Sequence, residues 1–204
     1  LSQQDVVQML KDARYTVVGK KLKEVDQAKI SKLLKANPYV QRVNFVHFAG
    51  TRLMIDYTLR NMVLHVFDAD GGQYFVDAEG QLLPYTTKMV DNLIVANGNI
   101  HQNYVKDSVA KSHLHQILNL TNLINADAFC KAQFRQIYLN EHQQIELVST
   151  IGKQIVLFGN DDNAAEKLFN LKQVYQNGLS HKGYDRYTQL DVRYKNRIIA
   201  QRKL

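Results

Sequence analysis

Seven histidines, one cysteine and several carboxylate clusters are the residues of this chain whose types suit metal binding, nucleophilic attack or proton transfer. Their spacing argues against all three. His113 and His115 stand two apart in a helical pattern, so they diverge on the helix surface and make a poor metal pair. His47 and His65 fall in strand patterns and could be cross-sheet neighbours, but a zinc site would need a further ligand and none stands out. His101, His142 and His181 are isolated. Asp68, Asp70, Asp77 and Glu79 surround two glycine-containing turns, where Asx-turn hydrogen bonding accounts for them without a bound cation. Asp161-Asp162 prepares a helix start. Cys130 lacks a nucleophile signature and a partner for a disulfide. Glycine-rich phosphate loops, the dinucleotide fingerprint and the Gly-x-Ser-x-Gly elbow are absent. The chain reads as non-catalytic, with no cofactor and no metal.

Basic and aromatic residues interleave near the C-terminus: Tyr184, Arg186, Tyr187, Arg193, Tyr194, Lys195 and Arg197. Stacking on a single-stranded nucleic acid requires such aromatics on one exposed face. Tyr194 instead falls in register with Leu190 and Val192, on the apolar side of a strand-like run from Thr188 to about Gln201, so no nucleic-acid partner is expected. A long terminal strand of this kind lies at a sheet edge, and an open edge is either protected or recruited by a partner strand. Arg193, Lys195 and Arg197 fit both uses, as charges that deter pairing or as selective contacts.

The elements that must position these residues form two sets. Ser2 with Asp5 caps a first helix carrying Val6, Val7, Met9 and Leu10. Asp26 caps a second, with Val25 and Ile30 as a hydrophobic staple, Ile30, Leu33 and Leu34 as its buried stripe, and Asn37-Pro38 as its stop. A meander follows. Val43, Phe45 and His47 alternate with Asn44, Val46 and Phe48. After the turn at 49–51, Leu53, Ile55, Tyr57 and Leu59 share one face. Met62 to Phe67 and Tyr74-Phe75-Val76 add strands, closing a small two-layer unit of about 80 residues.

Residues 84–107 show little sustained periodicity, and the domain boundary is placed at their start. Beyond them, Ala110, His113, Leu114 and Ile117 share a helical face, and Asn125 is a possible cap for a short helix. Phe134–Leu139, Gln144–Ser149 and Ile155–Phe158 make a second meander. Asn163 with Glu166 suggests a capping box for a helix burying Leu168, Leu171 and Tyr175, with Gly178 as its C-cap.

The chain has 204 residues, of which 45% are hydrophobic and 22% charged, so it can bury a real core and is not disordered overall. No stretch approaches the roughly 18 consecutive apolar residues of a membrane span. The net charge of +7 is concentrated: 11–35 holds eight basic against three acidic side chains (8 − 3 = +5), and 182–204 holds seven against two (7 − 2 = +5). Such segments favour anionic partners or surfaces.

In order along the chain, Val25-Asp26, Asn37-Pro38-Tyr39-Val40, Gly50 to Ile55 and Tyr74 to Gly80 resemble the POTRA domain of the bacterial FtsQ/DivIB division-protein family, particularly its Bacteroidetes-type form. Gln136-Ile137-Tyr138, Ile145 to Val148, Lys167 to Leu171, Gly178-Leu179 and Tyr187 to Asn196 resemble that family's β domain. Asn61, Ser149 and Cys130 depart from it, standing where the family favours proline, proline and an aromatic residue.

The resemblance implies an α+β chain: a POTRA-like domain at 1–83, with two helices on a three-stranded sheet, then a mixed β domain at 84–204 with packed helices and a long C-terminal edge strand. It further implies a single-pass inner-membrane protein, with this region in the periplasm and the membrane helix upstream. The function implied is that of a non-catalytic scaffold that joins FtsB and FtsL and helps to regulate septal peptidoglycan synthesis by FtsW and FtsI. Carried onto this sequence, the partner strand adds to residues 187–200, with Tyr187, Leu190, Val192, Arg193, Tyr194 and Arg197 as contacts, and proline at Arg193 should abolish binding. The alternative is a POTRA-containing periplasmic chaperone or transport-associated adaptor.

Overall fold

The structure is a computed structural model that describes residues 2–89, 92–101 and 113–203. It divides into two compact units, Leu1–Asn61 and Met62–Leu204.

In the first unit, α1 (Gln3–Asp12) begins at Ser2, whose hydroxyl accepts from Asp5 N–H while the Asp5 carboxylate accepts from Ser2 N–H. The capping box thus satisfies helix-end donors reciprocally. α2 (Gln27–Lys35) starts at Asp26, whose carboxylate accepts from Lys29 N–H at 3.0 Å. Ile30 and Leu34 are completely buried, and with Val6, Leu10, Tyr15 and Val25 they form a small separate core. Both helices lie on one antiparallel hairpin, β1 (Val40–Ala49) and β2 (Arg52–Leu59).

A register shift between Val43 and Phe45 changes the phase of β1. Val43, Val46 and Phe48 pack on the core, while Phe45 is exposed; the extra residue of a bulge moves every later side chain to the opposite face. Strict alternation through this strand is therefore not what the chain adopts.

The third strand expected in this unit belongs elsewhere. β3 (Met62–Phe67), β4 (Gln73–Asp77) and β5 (Leu82–Pro84) join β6 (Ile94–Gly98), β7 (Phe134–Leu139), β8 (Ile145–Ser149), β9 (Ile155–Gly159), β10 (Tyr187–Asp191) and β11 (Ile199–Arg202) in a nine-stranded sheet of order β11-β10-β9-β8-β7-β6-β3-β4-β5. The first sheet has two strands, and the division falls at Asn61/Met62 rather than at 83/84. The cause is pairing. β3 lies parallel to β6, itself parallel to β7, so the centre of the large sheet is a parallel core flanked by antiparallel meanders.

β6 lies in the stretch that lacks sequence periodicity. It is five residues long and ends at Gly98, whose φ is +102° and where an added Cβ would stand 2.2 Å from the Leu139 carbonyl. Close passage of β6 and β7 at this point requires glycine.

α3 (His113–Ala126), α4 (Ala128–Gln133) and α5 (Ala164–Gln173) contribute to the core that buries one face of this sheet. Leu64, Val66, Ile137, Leu147, Phe158 and Leu190 from the strands meet Leu114, Ile117, Leu120, Leu168 and Leu171 from the helices. His113 is exposed, off that face, and Ala110 lies outside the described residues. The cap of α4 is Asp127, not Asn125. Asn163 precedes α5 in the left-handed conformation, φ +53°, and makes no side-chain cap. α5 continues through a π-helical turn (Val174–Leu179) and α6 (Ser180–Lys182) and stops at Gly183, φ +90°, five residues beyond the expected Gly178. Among the described residues no helix is long and apolar enough to cross a membrane.

Candidate functional site

The C-terminal run is a hairpin, not one long strand. β10 ends at Asp191, the chain loops outward through 193–198, and β11 returns antiparallel, pairing Ile199 with Asp191 and Ala200 with Leu190. Asn196, at φ +61°, is the positive-φ residue that lets the loop reverse. It is also the turn signal present in the sequence, masked by the apolar alternation on either side. Because β10 pairs parallel with β9 on its other flank, the outer strand of the sheet is β11.

β11 offers an edge suited to pairing. Lys203 N–H donates inward to the Arg186 carbonyl at 3.0 Å. Strand alternation then points the N–H groups of Ile199 and Gln201 toward β10 and turns those of Ala200 and Arg202 outward. All four residues of the strand are exposed, and Ile199 is half-exposed. At the opposite end of the sheet, β5 is only three residues long and ends in Pro84, which has no N–H to donate.

The six residues expected to contact a partner sort into two groups. Leu190 and Val192 are core, with 0% and 3% of their surface exposed. Val192 N–H donates to the Leu157 carbonyl, extending the β9 pairing past the end of β10. Arg193 is bound internally. Its Nη2 and Nε donate to the two carboxylate oxygens of Asp191 at 2.6 and 2.9 Å, its backbone N–H donates to the same carboxylate, and Nη1 reaches Gln144 Oε1 at 3.1 Å. The Arg193 chain lies over Gly159, where an added Cβ would meet its Cγ at 3.1 Å. Burial raises the Asp191 pKa, but the Arg193 hydrogen bonds and charge outweigh it and leave the carboxyl below its ordinary value. A proline at Arg193 would thus remove a loop-to-Asp191 bond, not a strand-edge donor. Tyr194 and Arg197 are exposed, with the guanidinium 5.0 Å from the ring centroid, and Tyr187 is half-buried at the base of the hairpin.

The loop forms one wall of a cleft of about 340 Å³, and the start of α5 forms the other. Arg193, Lys195 and Arg197 line it on the loop side, and Asp162, Glu166 and Lys167 on the α5 side. Lys167 is pinned, donating to the carbonyls of Phe158 and Asn160 at 3.1 and 3.0 Å with its ammonium 4.9 Å from the Phe158 ring centroid. Its pKa is lowered by burial, against the opposing charges of Asp162 and Asp161.

Beneath the hairpin, a buried polar cluster missed in the sequence fixes its approach. Completely buried Gln154 accepts from the Tyr175 hydroxyl at 3.0 Å and from Ser149 at 2.9 Å, and donates to the Tyr184 carbonyl just ahead of β10. Gln133 donates to the Ile151 carbonyl alongside. These residues carry no local motif, since their partners are 5 to 30 residues away.

Of the other chemistry-bearing residues, His101, isolated in the sequence, comes within 3.5 Å of the Asp70 carboxylate, and the remaining described ones do not converge. His47, paired with Met54, and His65, paired with Phe75, lie in different sheets, so they are not cross-strand neighbours. His65 is buried in an aromatic stack with Phe67, Phe75 and Tyr85, and burial lowers its pKa despite the Gln73 side chain. Asp68 accepts from Asp70 and Gly72 N–H, and Asp77 from Glu79 and Gln81 N–H, the turn chemistry their spacing suggests. Burial pushes the Cys130 thiol up to about 11, away from nucleophilic reactivity. Among the described residues no group of three or more His, Cys, Asp or Glu could hold a metal ion.

Comparison with known families gives two matches. The family described as "FtsQ/DivIB, C-terminal related" matches residues 62–201, and the POTRA-like domain matches residues 1–58. Both fit the two structural units, including the break near residue 60. No curated protein matches the chain.

Proposed function

Since the chain belongs to the FtsQ/DivIB C-terminal-related family, whose members are non-catalytic cell-division scaffolds, we propose that it is a periplasmic scaffold of the divisome that captures a partner strand on the β11 edge. The observation that carries this reading is the asymmetry of the large sheet: one end is short and closes on proline, the other is exposed and proline-free with outward backbone donors at Ala200 and Arg202. A strand added there gains main-chain hydrogen bonds, while side chains beside the edge select it.

The partners in this reading are FtsB and FtsL, through which the scaffold helps to regulate septal peptidoglycan synthesis by FtsW and FtsI. Tyr194, Arg197 and Tyr187 flank the incoming strand. Leu190, Val192 and Arg193 hold the edge in place without touching the incoming strand. The basic loop favours an acidic segment, and affinity falls as salt rises.

Calorimetric titration with the periplasmic segment of FtsB from the same organism tests the proposal. The decisive variant is Ala200→Pro, which deletes an outward donor and leaves the inward ladder to β10 intact. Binding that is lost in a folded Ala200→Pro protein supports strand addition at β11. Wild-type affinity in that variant rules it out.

A further inference from the structure

Six of the seven lysines of the first unit lie on its second helix or the loop before it, and the seventh, Lys11, is on α1. On α2, Lys29, Lys32 and Lys35 recur at intervals of three, centred opposite buried Ile30 and Leu34. The preceding loop adds exposed Lys20, Lys21 and Lys23. Tyr15 holds loop and helix together: the ammoniums of Lys20 and Lys29 lie 5.1 and 4.8 Å from its ring centroid, and Asp26 N–H donates to its hydroxyl at 2.6 Å. Between Lys29 and Lys32 the outer face of α2 carries a shallow depression of about 560 Å³, with Ala28, Leu33 and Ala36 supplying its apolar lining. Val18, next to Gly19 and Lys20, is 82% exposed. The acidic groups in this segment are Asp12, Glu24 and Asp26, the last engaged in capping α2.

We propose that this face docks on the phosphate headgroup layer of an anionic phospholipid membrane. Six lysines make up the face, and Arg14, exposed just before Tyr15, is the one arginine of the 11–35 segment. An ammonium is a compact, strongly hydrated charge without the planar fork that selects a particular carboxylate, so it suits a diffuse field of phosphates better than a defined acidic peptide. The charges are spread over the outer side of α2 and the exposed loop before it, neither of which offers a strand edge to grip a peptide backbone. The depression and Val18 add a shallow apolar contact at the headgroup boundary, as in interfacial helices. Members of this family are membrane-anchored, which keeps such a surface within reach.

The test is co-sedimentation of the whole chain with vesicles of phosphatidylcholine alone and of phosphatidylcholine mixed with phosphatidylglycerol. The chain should bind the mixed vesicles and not the neutral ones, and release in about 1 M salt, where the Debye length is about 3 Å. The Lys→Gln triple at Lys29, Lys32 and Lys35, which keeps good helix formers, should weaken binding by about 100-fold, and the triple variant Lys29→Glu, Lys32→Glu, Lys35→Glu by well over about 1,000-fold. Reversing exposed Lys131, Lys153 and Lys203 in the second unit removes the same net charge and should cost less than about tenfold. Equal loss in both reversals, binding to neutral vesicles, or capture of an acidic peptide by this face without vesicle binding would each overturn the proposal.

Discussion

The two segments that carry the excess positive charge, 11–35 and 182–204, have the same net charge of +5 and are built in opposite ways. In the first, lysines stand on the outer side of a helix whose inner side is Ile30 and Leu34, so charge and core are separate layers of one element. In the second, charge and core interleave along the backbone: Leu190 is buried, Asp191 and Arg193 grip each other, and Arg197 leans on Tyr194. Equal charge counts thus describe a solvated face in one place and a structural clasp in the other. Partner pairing, not charge density, separates the two.

The largest test of that contrast is Leu190→Ala. The family resemblance places Leu190 among the partner contacts, but it is completely buried in the main core. Truncation should cost about 2–5 kcal/mol of stability, the range for leucine-to-alanine changes in well-packed cores. Urea unfolding should show the loss with no partner present. A change below about 0.5 kcal/mol, the scale of ordinary surface substitutions, would break the comparison by making the C-terminal segment as peripheral as the lysine face.

A smaller effect is expected from Arg193→Ala, which leaves Asp191, mostly buried, without its guanidinium. The pair is partly exposed, with Arg193 at 35% and Asp191 at 11% side-chain exposure, so the cost lies between surface and buried ion pairs, at about 1–2 kcal/mol. Lysine at the same position should not restore it, because a point charge cannot engage both carboxylate oxygens and Gln144. The acid side gives an independent check. The folded Asp191 pKa is lowered, so its contribution is fully present above the unfolded value of about 3.9 and disappears as pH falls through the folded value. Denaturant midpoints measured below about pH 4 should therefore fall more steeply for the wild type than for Arg193→Ala.

The parts of the fold that were legible in the sequence were those specified by neighbours. Ser2 with Asp5, Asp26 with Val25 and Ile30, and the Asp68 and Asp77 turns all act over five residues or fewer, and each forms as its spacing suggests. Local spacing misled at Asn125, Asn163 and Gly178, where the caps read from the sequence do not form, and the rest of what was not legible depends on distant pairing. β3 reads as a continuation of the first meander but is claimed by β6 some thirty residues later. The terminal hairpin hid for a related reason: apolar alternation through Leu190 and Val192 continues in phase to Tyr194, and only Asn196 marks the reversal. The sequence reads 187–200 as one edge strand, whereas the structure divides that run into β10 and β11, with β11 outermost.

The smallest effect sharpens the comparison from the other side. Lys32→Gln removes one charge from the outer face of α2 without touching Ile30 or Leu34, and glutamine is nearly as good a helix former as lysine. Thermal or urea unfolding should move by less than about 0.5 kcal/mol, within the range of surface substitutions away from structural contacts. The same variant should weaken sedimentation with phosphatidylglycerol vesicles by about fivefold, the share of one lysine near an anionic surface. Stability and surface binding would then respond separately at this position, as two layers of one helix require. At Arg193 the first response is a loss of stability, because there the charge is part of the fold it sits on.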